Sequence, residues 1–205
     1  VLSQLGDRPE DVVFIDDSMR DGIDFYGTKS FTFTSALTRY EYSALDSHIA
    51  IANGEPLNRR LIFNRIHENN LRLGGVVDPS VIISTTAILG EGVIIAPFVS
   101  VASNAYIGLN VAINTKAIIG HDVFVGDHSV ISSLVNLGGA TCVGQETYIG
   151  MGAQIKEGVK IGSNVIIGMG SVVYNDIPDG VIALGNPARP MRKNIDQKVF
   201  KQAVK

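Results

Sequence analysis

A six-residue period of hydrophobic positions runs through the middle of the chain. Every sixth residue from Val77 to Val173 is Val, Ile or Leu, seventeen in all, and the fourth residue after each is small or β-branched. Glycine directly follows nine of the seventeen, where we expect it to permit a tight bend. Six residues with two inward positions describe a short strand plus a turn. Because three such units close one coil, the pattern predicts a parallel β-helix of nearly six coils.

The residues before the repeat follow another pattern. Two short apolar runs, 11–17 and 47–52, predict buried parallel strands. Asn53 is placed to cap a following helix with Pro56 inside its first turn. Strand, turn and helix in this order suggest a small Rossmann-like sheet, although no G-x-G-x-x-G sequence follows a strand. The helix repeats its apolar residues at helical spacing: Leu57, Leu61, Ile62 and Ile66.

Pattern and charge together divide the chain into three regions. Residues 1–73 form the α/β region, residues 74–178 hold the repeat, and residues 179–205 form a tail. The repeat is poor in charge, whereas the tail carries six basic and two acidic residues. We therefore expect a Rossmann-like N-terminal domain, a β-helix domain and a basic C-terminal segment.

Composition excludes several classes of protein. Hydrophobic residues make up 45% of the chain and charged residues 18%, so the chain is not disordered. The net charge of −3 argues against nucleic acid as a partner, and no apolar run is long enough for membrane insertion. The single cysteine, Cys142, forms no internal disulfide, and the start of the chain does not resemble a signal peptide. We expect a cytoplasmic protein.

Two histidines occur within the repeat. His121 lies outside both inward positions and precedes Asp122, so a neutral imidazole there could accept a proton while the carboxylate stabilises the imidazolium. A solvated turn histidine beside a solvated turn acid is the alternative interpretation. His128 is expected at a solvated turn. A zinc hydratase built on a β-helix would need three convergent histidines, so we expect no metal.

The repeat resembles the hexapeptide-repeat acyltransferases, whose units wind as a left-handed β-helix. The string Ile-Asn-Thr-x-Ala-x-Ile-x-His-Asp, residues 113–122, is similar to the catalytic stretch of the sialic acid O-acetyltransferase-like sugar acyltransferases. That group includes N-acetyltransferases of nucleotide-linked 4-amino sugars, and in it a small Rossmann-like domain precedes the β-helix. The resemblance covers nearly the whole chain.

The resemblance implies a homotrimer with acetyl-CoA bound between neighbouring prisms. It implies His121 as general base, Asp122 as its electrostatic partner and Asn114 as a polar neighbour in the pocket. Two features depart from the family. Val130 stands where many members have a second histidine, and the glycine-rich phosphate loop has no counterpart, so the first βα unit is apparently missing, with residues 1–8 resembling the end of its helix.

Further site residues are expected by resemblance. Asp16 and Asp17, at the end of the first strand, would contact the substrate, with strand-end acids as the alternative. Gly138-Gly139 could offer backbone N–H groups to a thioester carbonyl. The segment 185–189 resembles the Gly-x-Pro-Ala stretch that closes the coenzyme groove, with a solvated tail as the alternative. The residues expected at the coenzyme are Gly139, Met151, Gly168, Met169, Pro187, Ala188 and Arg189.

The function expected is therefore acetyl-CoA-dependent acetylation of a sugar. The 4-amino group of a UDP- or dTDP-linked amino-deoxy sugar is the expected acceptor. A sugar O-acetyltransferase of the sialic acid type is one alternative. The other alternative is a non-catalytic trimeric β-helix scaffold. It stays open because a single His-Asp pair is all that indicates an enzyme.

Overall fold

The computed structural model describes residues 12–25, 27–39 and 48–200. The helix end expected at residues 1–8 lies outside them. The N-terminal part comprises β1 Phe14–Ile15, β2 Asp24–Phe25, β3 Thr28–Phe31, α1 Phe33–Arg39, β4 His48–Ile49, α2 Pro56–Glu68 and β5 Arg72–Leu73. Strands β1 and β3 pair in parallel and β2 joins β3 as an antiparallel hairpin, while β4 and β5 form a separate parallel pair. The two predicted strands thus exist as β1 and β4, in two small sheets, but neither is buried as expected, since Ile15 and His48 are exposed.

Helix α2 begins differently from the prediction. Its N-cap is Glu55 and not Asn53, and Pro56 occupies the first turn as expected. The Asn53 side chain instead accepts a hydrogen bond from the Glu55 backbone N–H at 2.9 Å. The Glu55 carboxylate accepts the backbone N–H groups of Val199 and Phe200 at 2.8 and 2.6 Å, so it does not cap its own helix. The helical spacing of apolar residues also predicted too wide a buried face on α2, since Leu61 is 51% exposed.

The repeat forms the left-handed β-helix. Its strands pair in parallel with the strand eighteen residues later, as Ala112 with Val130, so three strands complete each coil. The seventeen strands are β6 Val76–Val77, β7 Ile82–Ile83, β8 Ile88–Leu89, β9 Ile94–Ile95, β10 Ser100–Val101, β11 Tyr106–Ile107, β12 Ala112–Ile113, β13 Ile118–Ile119, β14 Phe124–Val125, β15 Val130–Ile131, β16 Asn136–Leu137, β17 Cys142–Val143, β18 Tyr148–Ile149, β19 Gln154–Ile155, β20 Lys160–Ile161, β21 Ile166–Ile167 and β22 Val172–Val173.

These strands make the three faces of a prism. Sheet A holds β6 and every third strand to β21, sheet B holds β7 to β22, and sheet C holds β8 to β20. Both inward positions of the repeat fill one continuous core, and from Ile95 through Val173 the aliphatic series is at most 4% exposed. The edges are named by the sheets they join: AB follows each strand of sheet A, BC follows sheet B, and CA follows sheet C.

The glycines of the repeat have a role other than the expected one. Gly120 and its equivalents are absent from the residues with positive φ. Left-handed backbone occurs two positions later, for example at Asp122 with φ 57° and His128 with φ 60°. A Cβ on Gly120 would lie 2.7 Å from the Leu137 carbonyl oxygen of the next coil. These glycines allow coils to stack closely, and other residues make the bend.

The C-terminal segment closes one end of the prism. Strand β23 Val181–Gly185 continues sheet A beside β21, and β24 Ala188–Lys193 returns antiparallel to it. Ala188 joins the core, and Asn194 is buried with its side-chain amide on Asn164. Beyond it the backbone N–H groups of Val199 and Phe200 bond to Glu55. The segment is therefore attached to the molecule at several points, while the side chains of residues 189–193 are exposed.

Candidate active site

His121 and Asp122 lie at the BC edge, in the turn that leaves strand β13. The imidazole is 56% exposed, and its Nδ1 lies 2.8 Å from Asp122 Oδ2. Asn104, one coil earlier on the same edge, donates its side-chain amide to Asp122 Oδ1 at 3.1 Å. The backbone N–H of Asp122 bonds to the Ser103 carbonyl at 2.9 Å, which holds the turn in place.

The Asp122 carboxylate determines which nitrogen of His121 is free. Because a carboxylate only accepts hydrogen bonds, the neutral form of the imidazole carries its proton on Nδ1 and has its lone pair on Nε2. The hydrogen bond from His121, followed by the one from Asn104, holds the pKa of Asp122 below its usual range. The carboxylate is therefore ionised at neutral pH. The arrangement can accept a proton at Nε2 and stabilise the resulting imidazolium.

Gly139 leaves the space in which the His121 ring lies. It stands one coil above His121 on the BC edge, and a Cβ there would be 2.4 Å from Nε2 and 2.5 Å from Cε1. The sequence singled out Gly139 as a backbone donor for a thioester. The geometry adds a second requirement, because any side chain at this position would displace the imidazole.

Apart from Gly139, the residues expected at the coenzyme lie on another edge or in the hairpin beside it. Met151, Gly168 and Met169 belong to the AB edge, since they follow strands β18 and β21 of sheet A. Asn114 follows β12 and is on the same edge, so within one chain sheet B separates it from His121. Met151 and Met169 are 48% and 75% exposed. One protomer therefore presents two separate parts of the predicted site.

The C-terminal hairpin adjoins the AB edge. A Cβ on Gly168 would lie 2.8 Å from the Leu184 Cβ of β23, and Gly185 N–H donates to Ser171 Oγ at 3.2 Å. Pro187 forms the hairpin turn through a cis peptide bond with Asn186. Ala188 is buried, whereas Arg189 is exposed. The structure thus gathers the hairpin residues and the two methionines along one edge.

Asp16 and Asp17 are both exposed, but their side chains are engaged locally. Asp16 accepts hydrogen bonds from the backbone and hydroxyl of Ser18 at 2.8 and 2.7 Å. Asp17 accepts the Phe33 N–H at the start of α1 and pairs with Arg65. Those two contacts, the Arg65 hydrogen bond first, lower the pKa of Asp17. Asp17 thus has a structural role that the sequence did not indicate.

His128 is not the solvated turn residue that was expected. It lies at the CA edge, is 8% exposed, and has its ring centroid 5.2 Å from that of Phe63 in α2. Its Nδ1 is 3.1 Å from the Asn110 side-chain amide nitrogen. Burial is the main cause of a lowered pKa for His128, partly offset by the charge of Asp127. His128 belongs to the junction between α2 and the β-helix.

Arg59 is the centre of that junction, and sequence reasoning missed it. It is 1% exposed, and its guanidinium donates to the Asn110 carbonyl and side-chain oxygens at 2.8 and 2.6 Å and to the Ile51 and Asn53 carbonyls. Burial lowers its pKa to about 10. The only indication in the sequence is that Arg59 lies at helical spacing from the buried residues of α2. That spacing gives no indication of burial for a charged residue.

Neither metal ligation nor membrane insertion is indicated by the part of the chain described. Within it, His, Cys, Asp and Glu side chains do not come together in groups of three that could hold a metal ion. Neither α1 nor α2 has the length and apolar character to cross a membrane.

Comparison with known proteins gives the family that the repeat resembles. Residues 143–175 match the family model "Bacterial transferase hexapeptide (six repeats)". A search of curated proteins gave no significant match.

Three solved structures are similar over most of their length. Perosamine N-acetyltransferase of Caulobacter crescentus, a histidine variant in complex with CoA and GDP-perosamine, is 30% identical, with a TM-score of 0.79 over 85% of this chain and 81% of that one. The acetyltransferase domain of PglB from Neisseria gonorrhoeae, in complex with acetyl-CoA, is 31% identical, with a TM-score of 0.80 over 87% and 85%. WeeI from Acinetobacter baumannii is 27% identical, with a TM-score of 0.84 over 93% and 91%. The chain belongs to the hexapeptide-repeat acyltransferase family and is an acyltransferase.

Proposed function

We propose that this protein transfers an acetyl group from acetyl-CoA to the amino group of a nucleotide-linked amino-deoxy sugar, with His121 as general base. The relatives in Caulobacter and Neisseria support the chemistry, since they are N-acetyltransferases or acetyltransferase domains with CoA or acetyl-CoA bound. The observation that carries the proposal is the His121–Asp122 pair, with Nδ1 on the carboxylate and Nε2 directed past Gly139.

His121 acts on the acceptor. Its Nε2 lone pair takes one proton from the sugar amine as the nitrogen attacks the acyl carbon, and the proton then passes to the departing sulfur. Asp122, ionised and held by Asn104, stabilises the imidazolium between these steps. Acetyl-CoA supplies the activated thioester carbonyl. The general base contributes a rate factor of about 10²–10⁴.

The AB edge suits the coenzyme chemically. Met151 and Met169 expose apolar side chains, and a Cβ at Gly152 or Gly170 beside them would meet nothing within 4 Å. The hairpin adds the guanidinium of Arg189, which can pair with phosphate. An apolar ridge, an open backbone and an adjacent cation match the pantetheine arm and phosphates of CoA.

A homotrimer would unite the two edges. Met169 lies three coils above His121, about 14 Å at ~4.8 Å per coil, and sheet B separates the two edges further. Three prisms arranged with sheet B toward a common axis would bring the AB edge of one protomer beside the BC edge of the next. Asn114 and the coenzyme residues of one copy would then adjoin His121 of another, which supports the expected site between protomers.

The deciding experiment offers acetyl-CoA with a panel of UDP-, dTDP- and GDP-linked 4-amino sugars, their 4-hydroxy counterparts, and free sialic acid, and measures thiol release. We expect release with an amino sugar and none with its hydroxy counterpart. Release with sialic acid alone would identify an O-acetyltransferase. Failure to bind acetyl-CoA by calorimetry, with no release from any acceptor, would leave the scaffold alternative.

The role of Asp122 is tested with the same assay. Asp122→Asn keeps the shape but removes the charge that supports the imidazolium, so we expect a loss of kcat intermediate between wild type and His121→Ala. An Asp122→Asn rate equal to that of wild type would contradict the electrostatic role.

A further inference from the structure

Two exposed aromatic side chains lie on sheet C next to the His121 turn. Tyr106 and Phe124 are paired residues of β11 and β14, and their rings stack with centroids 5.2 Å apart and an interplanar angle of 4°. The side chains are 41% and 43% exposed. A stacked pair this open to solvent contributes little to folding compared with a core residue, because much of its apolar area stays in water.

The pair is continuous with the proposed active site. Phe124 begins the strand that directly follows His121 and Asp122, and Tyr106 begins the strand that follows Asn104, the residue that holds Asp122. Both rings therefore lie on the surface of sheet C beside the BC edge. An acceptor hydrogen-bonded to His121 Nε2 could therefore extend over this surface.

The opposite border of sheet C carries the N-terminal region. There the CA edge receives Arg59 on Asn110, and Leu109 packs against the N-terminal apolar cluster of Phe33, Ile51, Ile66 and Leu73. The two borders are about five residues apart along the chain through β14, about 16 Å at ~3.3 Å per residue. A substrate held by the N-terminal region of the same chain, with its amine at His121, would cross sheet C and meet Tyr106 and Phe124.

We propose that Tyr106 and Phe124 form the platform on which the sugar ring of the acceptor lies, with the apolar C–H face of a deoxy sugar against the rings. This inference rests on the proposed function and adds the residues that position its acceptor. Aromatic rings offer a broad apolar surface, and burying C–H groups against them gives affinity without a hydrogen bond. No described residue contacts the Tyr106 hydroxyl within hydrogen-bond distance, so that group is available to one sugar hydroxyl.

Steady-state kinetics on the full chain test the platform with the panel member that has the highest kcat/KM. Phe124→Ala should raise the acceptor KM about tenfold and leave the KM for acetyl-CoA unchanged. Tyr106→Phe, which keeps the ring, should raise the acceptor KM by a factor of about 5 or less, the value of one hydrogen bond. Ile88→Ala is the matched control, because Ile88 is 60% exposed on the same column of sheet C, one coil farther from His121.

A spectroscopic readout keeps the test independent of turnover. GDP-perosamine or dTDP-4-amino-4,6-dideoxyglucose bound to wild type should show upfield-shifted sugar methyl protons in NMR, because the methyl lies over an aromatic ring. Phe124→Leu, which preserves an apolar side chain and the fold, should abolish that shift.

Three results would overturn the platform while the proposed function survives. They are an unchanged acceptor KM in Phe124→Ala, a rise in the acetyl-CoA KM instead, and a change in oligomeric mass that makes the pair a contact between copies. Absence of turnover with every acceptor in the wild type would contradict the proposed function itself. The methyl shift would then decide the platform alone, and its absence would overturn it too.

Discussion

The two histidines of the third coil differ in exposure, in hydrogen-bond partners and in backbone, since His128 has left-handed backbone and His121 does not. His121 and His128 are seven residues apart, at turns that leave consecutive strands of the same repeat. His121 is exposed, with an ionised carboxylate on Nδ1, whereas His128 is buried under Phe63 with an amide on the same atom. The edges repeat the same turn, but the two histidines occupy successive positions of it. The helix packed on the CA edge accounts for the burial of the His128 ring.

What lies against an edge therefore decides whether its histidine is available for chemistry. Helix α2 covers the CA edge. Its Arg59 side chain donates hydrogen bonds to Asn110, and the helix excludes water from His128. No described residue covers the imidazole at the BC edge. A repeat offers many equivalent corners, and the N-terminal region uses one as an attachment point while another is left open.

The largest expected effect separates the two histidines by activity. His121→Ala should lower kcat by about 10²–10⁴ with little change in Tm, because the exposed ring makes no core contact. His128→Ala should cost much less activity but lower Tm, because it removes the contact with Phe63. Thiol release and thermal unfolding of both variants check this, and His128→Ala as inactive as His121→Ala would show that the base is misassigned.

The junction can be weakened without touching the open edge. Arg59→Met leaves carbonyl groups of Ile51, Asn53 and Asn110 without their donor, and we expect a loss of about 3 kcal/mol in the free energy of unfolding. Arg60→Met is the control. Arg60 Nε lies 2.9 Å from Glu146 Oε2 but is misaligned for a hydrogen bond and partly exposed, so its loss should cost less than about 1 kcal/mol.

Chemical denaturation of the two arginine variants measures this difference. Equal losses for Arg59→Met and Arg60→Met would mean that the buried guanidinium contributes no more than a surface pair. Both variants should still bind acetyl-CoA, because the two arginines pack on the CA edge and not on the AB or BC edge.

Crowding the open edge should reduce activity while sparing the fold. Gly139→Ala places a Cβ 2.4 Å from His121 Nε2, so the ring must move, and we expect kcat to fall about 10–100-fold. Gly120→Ala is the contrasting variant. Its Cβ would clash with the Leu137 carbonyl oxygen of the next coil, so its main effect should be a lower Tm. Wild-type kcat in a folded Gly139→Ala protein would contradict the position of the imidazole.

The smallest expected effect is a pH dependence of stability from His128. Burial lowers its folded pKa below the usual 6.5, so between that value and the folded pKa the unfolded chain binds more protons than the folded one. Stability should therefore fall as pH decreases below 6.5 and level off below the folded pKa. His128→Asn should flatten this slope, since asparagine accepts the left-handed backbone and does not titrate.

Thermal melts from pH 7.5 to pH 5 measure that slope. His67→Asn, at an exposed position of α2, is the control and should keep it. An unchanged slope in His128→Asn would assign the pH dependence to other groups.

The β-helix and its core could be predicted from the sequence because each repeat contacts only the repeats next to it along the helix axis. Each unit contacts its neighbours at fixed spacing, so Ile119 or Val125 could be assigned to the interior from position alone. His121 and Asp122 are adjacent in sequence, and their pairing is a local property of one turn. These features could be predicted from the chain itself.

Only the tertiary structure decided features that join residues far apart in sequence. Nothing near Arg59 indicates that it is buried on Asn110, fifty-one residues later, and nothing near Glu55 indicates its contact with Val199. The same is true of His128, whose burial depends on the helix above it, and of Gly139, whose missing side chain admits a ring from the coil below. Local pattern gives the direction of each side chain in the repeat, but which surfaces meet depends on the packing free energy of the whole molecule.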